Sequence, residues 1–349
     1  MRVVASVLGK LLDALRTPRV LIRLGLLIAV AVFLIRPLVP RVVDAIAKLE
    51  DVDPWLTATG FALQVAALLC YSIMTRSALG TDRRMIGLGR LFRIQLVTRA
   101  VSSTVPGGAA AGPAVGYRFM AAAGVSGSNA SASLASASVI SAFVLNVVLW
   151  LALIVSVPLY GFNAYYAGAA MIGVVLMLAV AGVFVAIIDR SVLIERPVRF
   201  IARRLRADPD RMTASIRSFG AQIEDLVKDR SLMARLSSWA AANWLLDALS
   251  LWVFLRAFGV TMSPVGLVVA FGIANVLAAI PISPGGIGIV EWAYIPILVT
   301  FGATFEQATI AVVTYRVAQF LFPIVLGGLA YVSLTLGAWA ERRNATAAL

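Results

Sequence analysis

Histidine is absent from this chain of 349 residues, and cysteine occurs once, at Cys70. Without histidine the chain has no imidazole base, no histidine metal ligand and no Ser-His-Asp triad. One cysteine excludes an intramolecular disulfide and a paired-thiol site. We therefore predict no metal site, no cofactor and no catalytic residues of the common hydrolytic or redox classes.

Charge is also scarce, because only 13% of the residues are charged while 61% belong to the apolar set. Globular chains average about 45–50% apolar and about 25% charged residues. No charged residue lies between Phe119 and Ile188. A soluble protein of this size could not bury so much apolar surface, so the composition predicts a polytopic membrane protein. The net charge of +13 fits basic residues kept on the cytoplasmic side, and no nucleic-acid motif accompanies it.

The apolar runs predict an all-α chain, since a bilayer core needs about 20 apolar helical residues per crossing. Residues 1–18 are expected to form an interfacial amphipathic helix, and residues 19–349 a transmembrane domain. A basic insert at about 189–235 is expected to lie on the cytoplasmic surface. The six predicted spans are Val20–Val39, Pro54–Thr75, Ala130–Leu159, Ala164–Ile188, Leu236–Phe258 and Thr304–Leu336.

Two further apolar stretches, at 91–124 and 264–302, are interrupted near their middles by Pro-Gly-Gly. The first interruption begins at Pro106 and the second at Pro284, 178 residues later, and Gly124 and Gly302 keep the same offset. This offset predicts two repeats, at about 55–159 and 236–338, each a helix, a broken hairpin and a helix. Basic clusters on one side predict that the repeats are inverted, with six full spans and two re-entrant hairpins, or ten spans if both hairpins cross. They also predict a plasma-membrane protein with both termini in the cytoplasm.

A longer motif carries a family resemblance. Its residues are Pro284, Gly285, Gly286, Gly288, Glu291, Gly302, Arg316, Gln319, Pro323 and Gly327. This pattern resembles the C-terminal signature of the transmembrane region of the lysylphosphatidylglycerol synthase/flippase family. The resemblance implies a stand-alone flippase-like domain without the aminoacyl-transferase domain. It also implies movement of a phospholipid, a glycolipid or a polyprenyl-linked lipid.

Two charged residues lie deep in apolar runs. Glu291 is the only charge between Ala257 and Phe305, and Arg316 lies twelve residues into the last predicted span, about 18 Å along the helix axis. Intramembrane ionisable groups are functional-site hypotheses by default. We predict that Arg316 binds phosphate and that Glu291 binds the headgroup or exchanges protons. Two structural alternatives stay open: Glu291 caps a helix N-terminus, and Arg316 pairs with Glu291 or Asp247.

The remaining candidates line the breaks and the spans. Arg118 follows the first break and is predicted to meet lipid phosphate, with snorkelling to the interface as the alternative. Asp247 lies mid-span and is predicted either to relay protons or to form a structural pair. Arg99 is a weaker candidate in the first hairpin. The glycines of the breaks are predicted to expose backbone amides to an anion, or else to allow tight helix packing; they are Gly107, Gly108, Gly285, Gly286 and Gly288.

These residues favour a lipid translocator rather than an enzyme. Its expected partners are membrane lipids with anionic headgroups, and a second copy of the chain or a separate lipid-synthesising enzyme are further candidates. A nucleotide-driven pump is not favoured, because the chain has no GxxxxGK[ST] loop. Two alternatives stay open: an intramembrane transferase that modifies a lipid, and a non-catalytic membrane partner.

Overall fold

The computed structural model describes residues 54–104, 108–160, 228–278 and 288–347, with isolated positions between 171 and 210. The chain divides into two units, Met1–Glu50 and Asp51–Leu349, and all of these ranges lie in the second. Every regular element within them is helical. The elements are α1 (Pro54–Ser77), a 3-10 helix (Gly80–Arg84), α2 (Leu88–Thr104), α3 (Gly108–Ala122), α4 (Gly127–Tyr160), α5 (Arg230–Ala257), α6 (Pro264–Ala278), α7 (Ile289–Thr300), α8 (Phe305–Arg316), a π-helical turn (Val317–Leu321) and α9 (Phe322–Ala347).

The described ranges contain four helices long and apolar enough to cross a membrane: Pro54–Ser77, Gly127–Val155, Arg230–Ala257 and Phe305–Leu336. Each coincides with a predicted span, which confirms an all-α polytopic membrane protein. The predicted amphipathic helix, the first span and most of both the span at 164–188 and the basic insert lie outside the described residues. Gly107, Gly285 and Gly286 also lie outside them.

The two repeats have the same order of elements. Helices α1 to α4 begin at residues 54, 88, 108 and 127, and α5 to α8 begin at 230, 264, 289 and 305, so the spacing between counterparts is nearly constant. The hairpin legs α2, α3, α6 and α7 have 17, 15, 15 and 12 residues. Each is shorter than the roughly 20 residues that one crossing requires. The legs therefore have the length expected of re-entrant hairpins.

Glycines end the corresponding helices of both repeats. Gly124 follows α3 with a φ of 90°, and Gly302 follows α7 with a φ of 100°. Gly80 and Gly259, after α1 and α5, have φ angles of 58° and 75°. Left-handed backbone is costly for a residue with a Cβ. The predicted correspondence of Gly124 with Gly302 is thus confirmed at the level of backbone geometry.

Helices α1 and α5 pack along their lengths in opposite directions. Near the start of α1, the Gly60 carbonyl accepts a hydrogen bond of 2.9 Å from Ser250 Oγ, late in α5. Near the end of α1, Met74 packs in one buried cluster with Leu236, early in α5. Because α1 and α5 are counterparts in the two repeats, their antiparallel packing makes the repeats inverted, as predicted.

Each hairpin packs on the last helix of the other repeat. On α9, a Cβ added at Gly327 would lie 2.5 Å from the Leu96 carbonyl oxygen of α2, and Arg93 donates a hydrogen bond of 2.7 Å to Ser333. In the same way, a Cβ added at Gly272 of α6 would lie 2.8 Å from Leu149 of α4. Small residues allow such close helix contacts in membranes. Each hairpin is therefore held in place by a helix of the other repeat.

In each repeat, a polar side chain connects the loop after the first helix to the start of the last helix. In the first repeat, Asp82 accepts hydrogen bonds from the Ser126 amide at 2.9 Å and from the Ser126 hydroxyl at 2.7 Å. In the second repeat, Gln307 donates a bond of 3.3 Å to the Phe258 carbonyl. The two ties lie at opposite ends of the antiparallel α1–α5 pair. In each repeat, the loop after the first helix is therefore joined to the start of the last helix.

The Asp82 tie predicts a loss of stability in acid. Hydrogen bonds from the Ser126 side chain and amide hold the pKa of Asp82 below its usual value. A lowered folded-state pKa stabilises the fold above the usual carboxyl pKa of about 3.9, and this stabilisation is lost as the pH falls through the folded-state pKa. We expect Asp82→Asn to lower Tm near neutral pH, and the difference from the parent to shrink as the pH falls through the folded-state pKa of Asp82. Thermal unfolding of both proteins in detergent, from neutral to acidic pH, checks this prediction. A difference in Tm that does not change with pH would contradict it.

Candidate functional site

Glu291 and Arg316 form a buried ion pair between α7 and α8. Arg316 Nε donates to Glu291 Oε1 at 2.7 Å, and the two residues are 8% and 4% exposed. Glu291 Oε2 accepts a hydrogen bond of 2.6 Å from the amide of Gly288, whose φ of 86° favours glycine. Glu291 therefore caps α7 and pairs with Arg316 at once. Both structural alternatives named from the sequence are present, and the pair is with Glu291 rather than with Asp247.

Arg316 makes two further contacts at the start of the π-helical turn. Its Nη1 donates to Gln319 Oε1 at 2.7 Å, and its Cζ lies 5.1 Å from the centre of the Phe320 ring. The side chain of Gln319 also lies near Asp247. Short π-helical insertions occur frequently at functional sites. Gln319 thus links the ion pair to the second buried carboxylate.

Asp247 on α5 gathers donors from both repeats. Its Oδ1 accepts from Gln64 Nε2 of α1 at 2.6 Å and from the Tyr315 hydroxyl of α8 at 2.8 Å. Asp247 is 7% exposed and Gln64 is 3% exposed. A buried carboxylate needs such donors, since an unpaired one is costly. Asp247 is therefore held at the α1–α5 contact on which the inverted repeats are centred.

The polar network extends to α6 through two tyrosines. The rings of Tyr294 and Tyr315 meet edge to face, with centroids 5.9 Å apart. Asn275 of α6 donates a hydrogen bond of 3.1 Å to the Tyr294 hydroxyl, which lies beside that of Tyr315. Residues of α1, α5, α6, α7 and the α8 region thus form one connected cluster, called here the central network.

The predicted site residues divide into three groups. Asp247, Glu291, Arg316 and Gly288 are in the central network. Arg118 is exposed on α3 and makes no hydrogen bond or ion pair with the network among the described residues. Gly108 is the first residue of α3, and the other break glycines lie outside the description. The structure shows where these residues lie, and their roles in binding a lipid stay a prediction.

Sequence analysis missed most of the uncharged members of the network. Gln64, Tyr294 and Tyr315 were not singled out, and Gln319 entered only through the family motif. An uncharged polar residue in a span is not rare enough to draw notice on its own. The signal that could have found Gln64 is the inverted repeat, because it brings the middle of α1 against the middle of α5.

The central network suits binding of a charged group rather than covalent chemistry. It holds one paired arginine, two carboxylates, three side-chain amides and two tyrosine hydroxyls in a mostly apolar surrounding. Guanidinium groups bind phosphate or carboxylate through two parallel hydrogen bonds. An anion entering the network would therefore compete with Glu291 for Arg316.

Comparison with known proteins gives three matches. The family model described as the transmembrane region of lysylphosphatidylglycerol synthase matches residues 11–327. A UPF0104 membrane protein of Methanothermobacter thermautotrophicus is 23% identical over 309 residues, covering 83% of this chain and 86% of that protein. The glycosyltransferase AglD of Haloferax volcanii is 29% identical over 150 residues, which is 41% of this chain and 23% of AglD. The chain therefore spans less than a quarter of AglD.

Proposed function

Because the chain belongs to the family of the lysylphosphatidylglycerol synthase transmembrane region, we propose that it translocates a lipid with a phosphate-bearing headgroup across the membrane. The observation that carries this proposal is the central network, which lies at the contact of two inverted repeats and draws side chains from both. Secondary transporters bind their substrates at such repeat interfaces, near broken helices. The headgroup would enter the network while the acyl or prenyl tails stay in the bilayer. The chain then acts as a transporter and not as an enzyme.

An orientation in the plasma membrane is part of the proposal. The loop between α1 and α2 carries Arg83 and Arg84, and the antiparallel packing of α2 on α9 brings the end of α9, with Arg342 and Arg343, to the same face. The loops at 258–263 and 301–304, at the other face, have no charged residue. Positive charge is retained on the cytoplasmic side. The C-terminus, and with it the N-terminus in the predicted topology, would therefore be cytoplasmic.

Lipid movement in proteoliposomes tests the proposed function. The purified chain would be reconstituted with fluorescent phospholipids in one set and a fluorescent polyprenyl phosphate in another. The test variant is the double substitution Glu291→Gln with Arg316→Gln, which removes both charges without leaving one of them buried and unpaired. We expect the parent to accelerate exchange of at least one lipid between leaflets and the double variant to lose most of that acceleration.

The control removes the same two charge types at exposed ends of neighbouring helices. Glu306 in the first turn of α8 and Arg256 in the last turn of α5 are both exposed. The double substitution Glu306→Gln with Arg256→Gln should exchange lipid at the parent rate. Equal exchange by the parent and the Glu291/Arg316 variant would contradict the proposal. A folded parent that moves neither lipid would favour the alternatives of a lipid-modifying transferase and a non-catalytic partner.

A further inference from the structure

The loop between α1 and α2 in the first repeat is longer than its counterpart between α5 and α6. Each loop contains a glycine in the left-handed region, Gly80 with a φ of 58° and Gly259 with a φ of 75°. Helix α2 begins at Leu88, eight residues after Gly80, whereas α6 begins at Pro264, five residues after Gly259. Because the shorter loop makes the same chain reversal, the reversal does not require the three additional residues of the first loop.

Buried side chains anchor both ends of this longer loop, called here the arginine loop (residues 79–87). Leu79 and Ile86 are each 1% exposed and pack in the same apolar cluster. From the end of α1, Arg76 donates a hydrogen bond of 3.3 Å to the Ile86 carbonyl and another of 3.3 Å to the Arg83 carbonyl. The arginine loop is therefore an ordered turn, held from the protein side by its backbone.

The outer surface of the arginine loop consists of three consecutive residues, Arg83, Arg84 and Met85. Both arginines are exposed, and Met85 is 63% exposed. The counterpart loop at 258–263 has no charged residue, and its methionine, Met262, is 6% exposed. Since inverted repeats place the two loops at opposite faces, this combination of cationic and apolar surface belongs to one face of the molecule.

The acidic residues on this face make their contacts elsewhere. Asp82, in the arginine loop itself, accepts hydrogen bonds from the Ser126 amide and hydroxyl at 2.9 and 2.7 Å. Asp229 caps the start of α5. Arg83 and Arg84 form no ion pair among the described residues. An anion from outside the protein would therefore complement this surface.

The arginine loop lies at the level of the lipid headgroups. Helix α1 has 24 residues, which extend about 36 Å, while the hydrocarbon core is about 30 Å thick. The loop that follows α1 thus meets the boundary between membrane and water. At that boundary basic residues are attracted to anionic headgroups, and apolar side chains insert beside the acyl chains.

We infer that the arginine loop is a docking site for anionic phospholipids of the adjacent leaflet. Arg83 and Arg84 contact the headgroup phosphate through charge-assisted hydrogen bonds, and Met85 inserts at the boundary of the acyl chains. A headgroup with a net negative charge is preferred over a zwitterionic one, because two cations face it and no ammonium group opposes them. The inference goes beyond the proposed function, since the loop binds lipid whether or not the chain moves it across the membrane.

Native mass spectrometry of lipid binding to the full chain in detergent tests this inference. The probes are phosphatidylglycerol and phosphatidylcholine with identical acyl chains, so that they differ in headgroup charge. The parent should bind phosphatidylglycerol about tenfold or more tightly than phosphatidylcholine. The double substitution Arg83→Gln with Arg84→Gln should remove most of this preference. It keeps the Arg83 carbonyl that Arg76 contacts, so the loop retains its anchor.

The matched control removes the same charge at the same face. Arg230 and Arg235 are exposed near the start of α5, which packs beside the end of α1. The double substitution Arg230→Gln with Arg235→Gln should keep the preference of the parent for phosphatidylglycerol. A preference that survives in the Arg83/Arg84 variant, or that falls equally in both double variants, would overturn the inference.

Met85→Ser tests the apolar part of the docking site. It should weaken the binding of both lipids by about threefold and leave their ratio unchanged, because it removes an apolar contact and no charge. Parent-like binding of both lipids would overturn the insertion of Met85.

Two further measurements separate this inference from its alternatives. Polyglutamate that binds through Arg83 and Arg84, when phosphatidylglycerol does not, would overturn the lipid assignment in favour of an acidic protein partner. A parent that prefers phosphatidylglycerol through these arginines but exchanges no lipid between leaflets contradicts the proposed function and supports the docking site.

Discussion

Glu291→Gln is expected to lower the free energy of unfolding by about 3–5 kcal/mol, since it leaves the buried charge of Arg316 without its partner. Arg316 Nε lies 2.7 Å from Glu291 Oε1, and the neutral Gln319 oxygen contacts a different guanidinium nitrogen. An amide at position 291 retains an acceptor but not the negative charge. The same substitution weakens the cap at Gly288. The loss should therefore be larger than that of an exposed ion pair, which contributes about 0–1 kcal/mol.

Chemical denaturation in mixed micelles measures this effect. The double variant with Glu291→Gln and Arg316→Gln should recover a large part of the loss, because no uncompensated charge remains. Glu306→Gln, in the exposed first turn of α8, should change stability by less than about 1 kcal/mol. A double variant as unstable as the sum of the two single variants would show that the pair does not act as a unit.

Gly327→Ala should lower the free energy of unfolding by about 1–3 kcal/mol, as overpacking does in close-packed interiors. A Cβ at Gly327 would lie 2.5 Å from the Leu96 carbonyl oxygen and 2.5 Å from the Ala100 Cβ. One of these contacts is with backbone, so no side-chain rotation relieves it. Helix α9 would have to move away from α2. That movement would also disturb the hydrogen bond between Arg93 and Ser333.

The adjacent glycine supplies the control for this prediction. Gly328 is exposed, and nothing lies within 4 Å of a Cβ added there. Gly328→Ala should be neutral or stabilising by up to about 1 kcal/mol, because alanine favours helix over glycine. Thermal unfolding of the two variants, measured side by side, gives the comparison. Equal Tm shifts would mean that packing against α2 does not decide the outcome.

The sequence predicted the helices and their repetition because both are encoded locally. Uncharged runs of sufficient length identify spans, and a fixed offset between Pro-Gly-Gly segments identifies a repeat. Gly124 and Gly302 also indicate the repeat, since the left-handed turn that ends α3 and α7 favours glycine in both places. The inverted packing of α1 on α5 followed from the placement of basic residues. These features need no knowledge of distant contacts.

The central network was predicted only in its charged members. Glu291 and Arg316 were recognised since charge inside an apolar run is costly and therefore conspicuous. Whether Arg316 would pair with Glu291 or Asp247 could not be decided, because both carboxylates are far from it along the chain. The contact of Gln64 with Asp247 joins residues 183 positions apart. Such a contact depends on how helices rotate against one another, which no local pattern specifies.

The π-helical turn at Val317–Leu321 has an effect beyond the arginine that precedes it. Each residue of an α-helix advances the side chains by about 100°, and a π-helical turn takes up one extra residue. Each residue after the turn therefore takes the angular position that the residue before it would have in an unbroken α-helix. In an unbroken α-helix of the same sequence, Leu326 would face the backbone of α2 where Gly327 now does. The irregularity beside the ion pair thereby sets the angular phase of α9, and with it the distance at which the last helix meets the first hairpin.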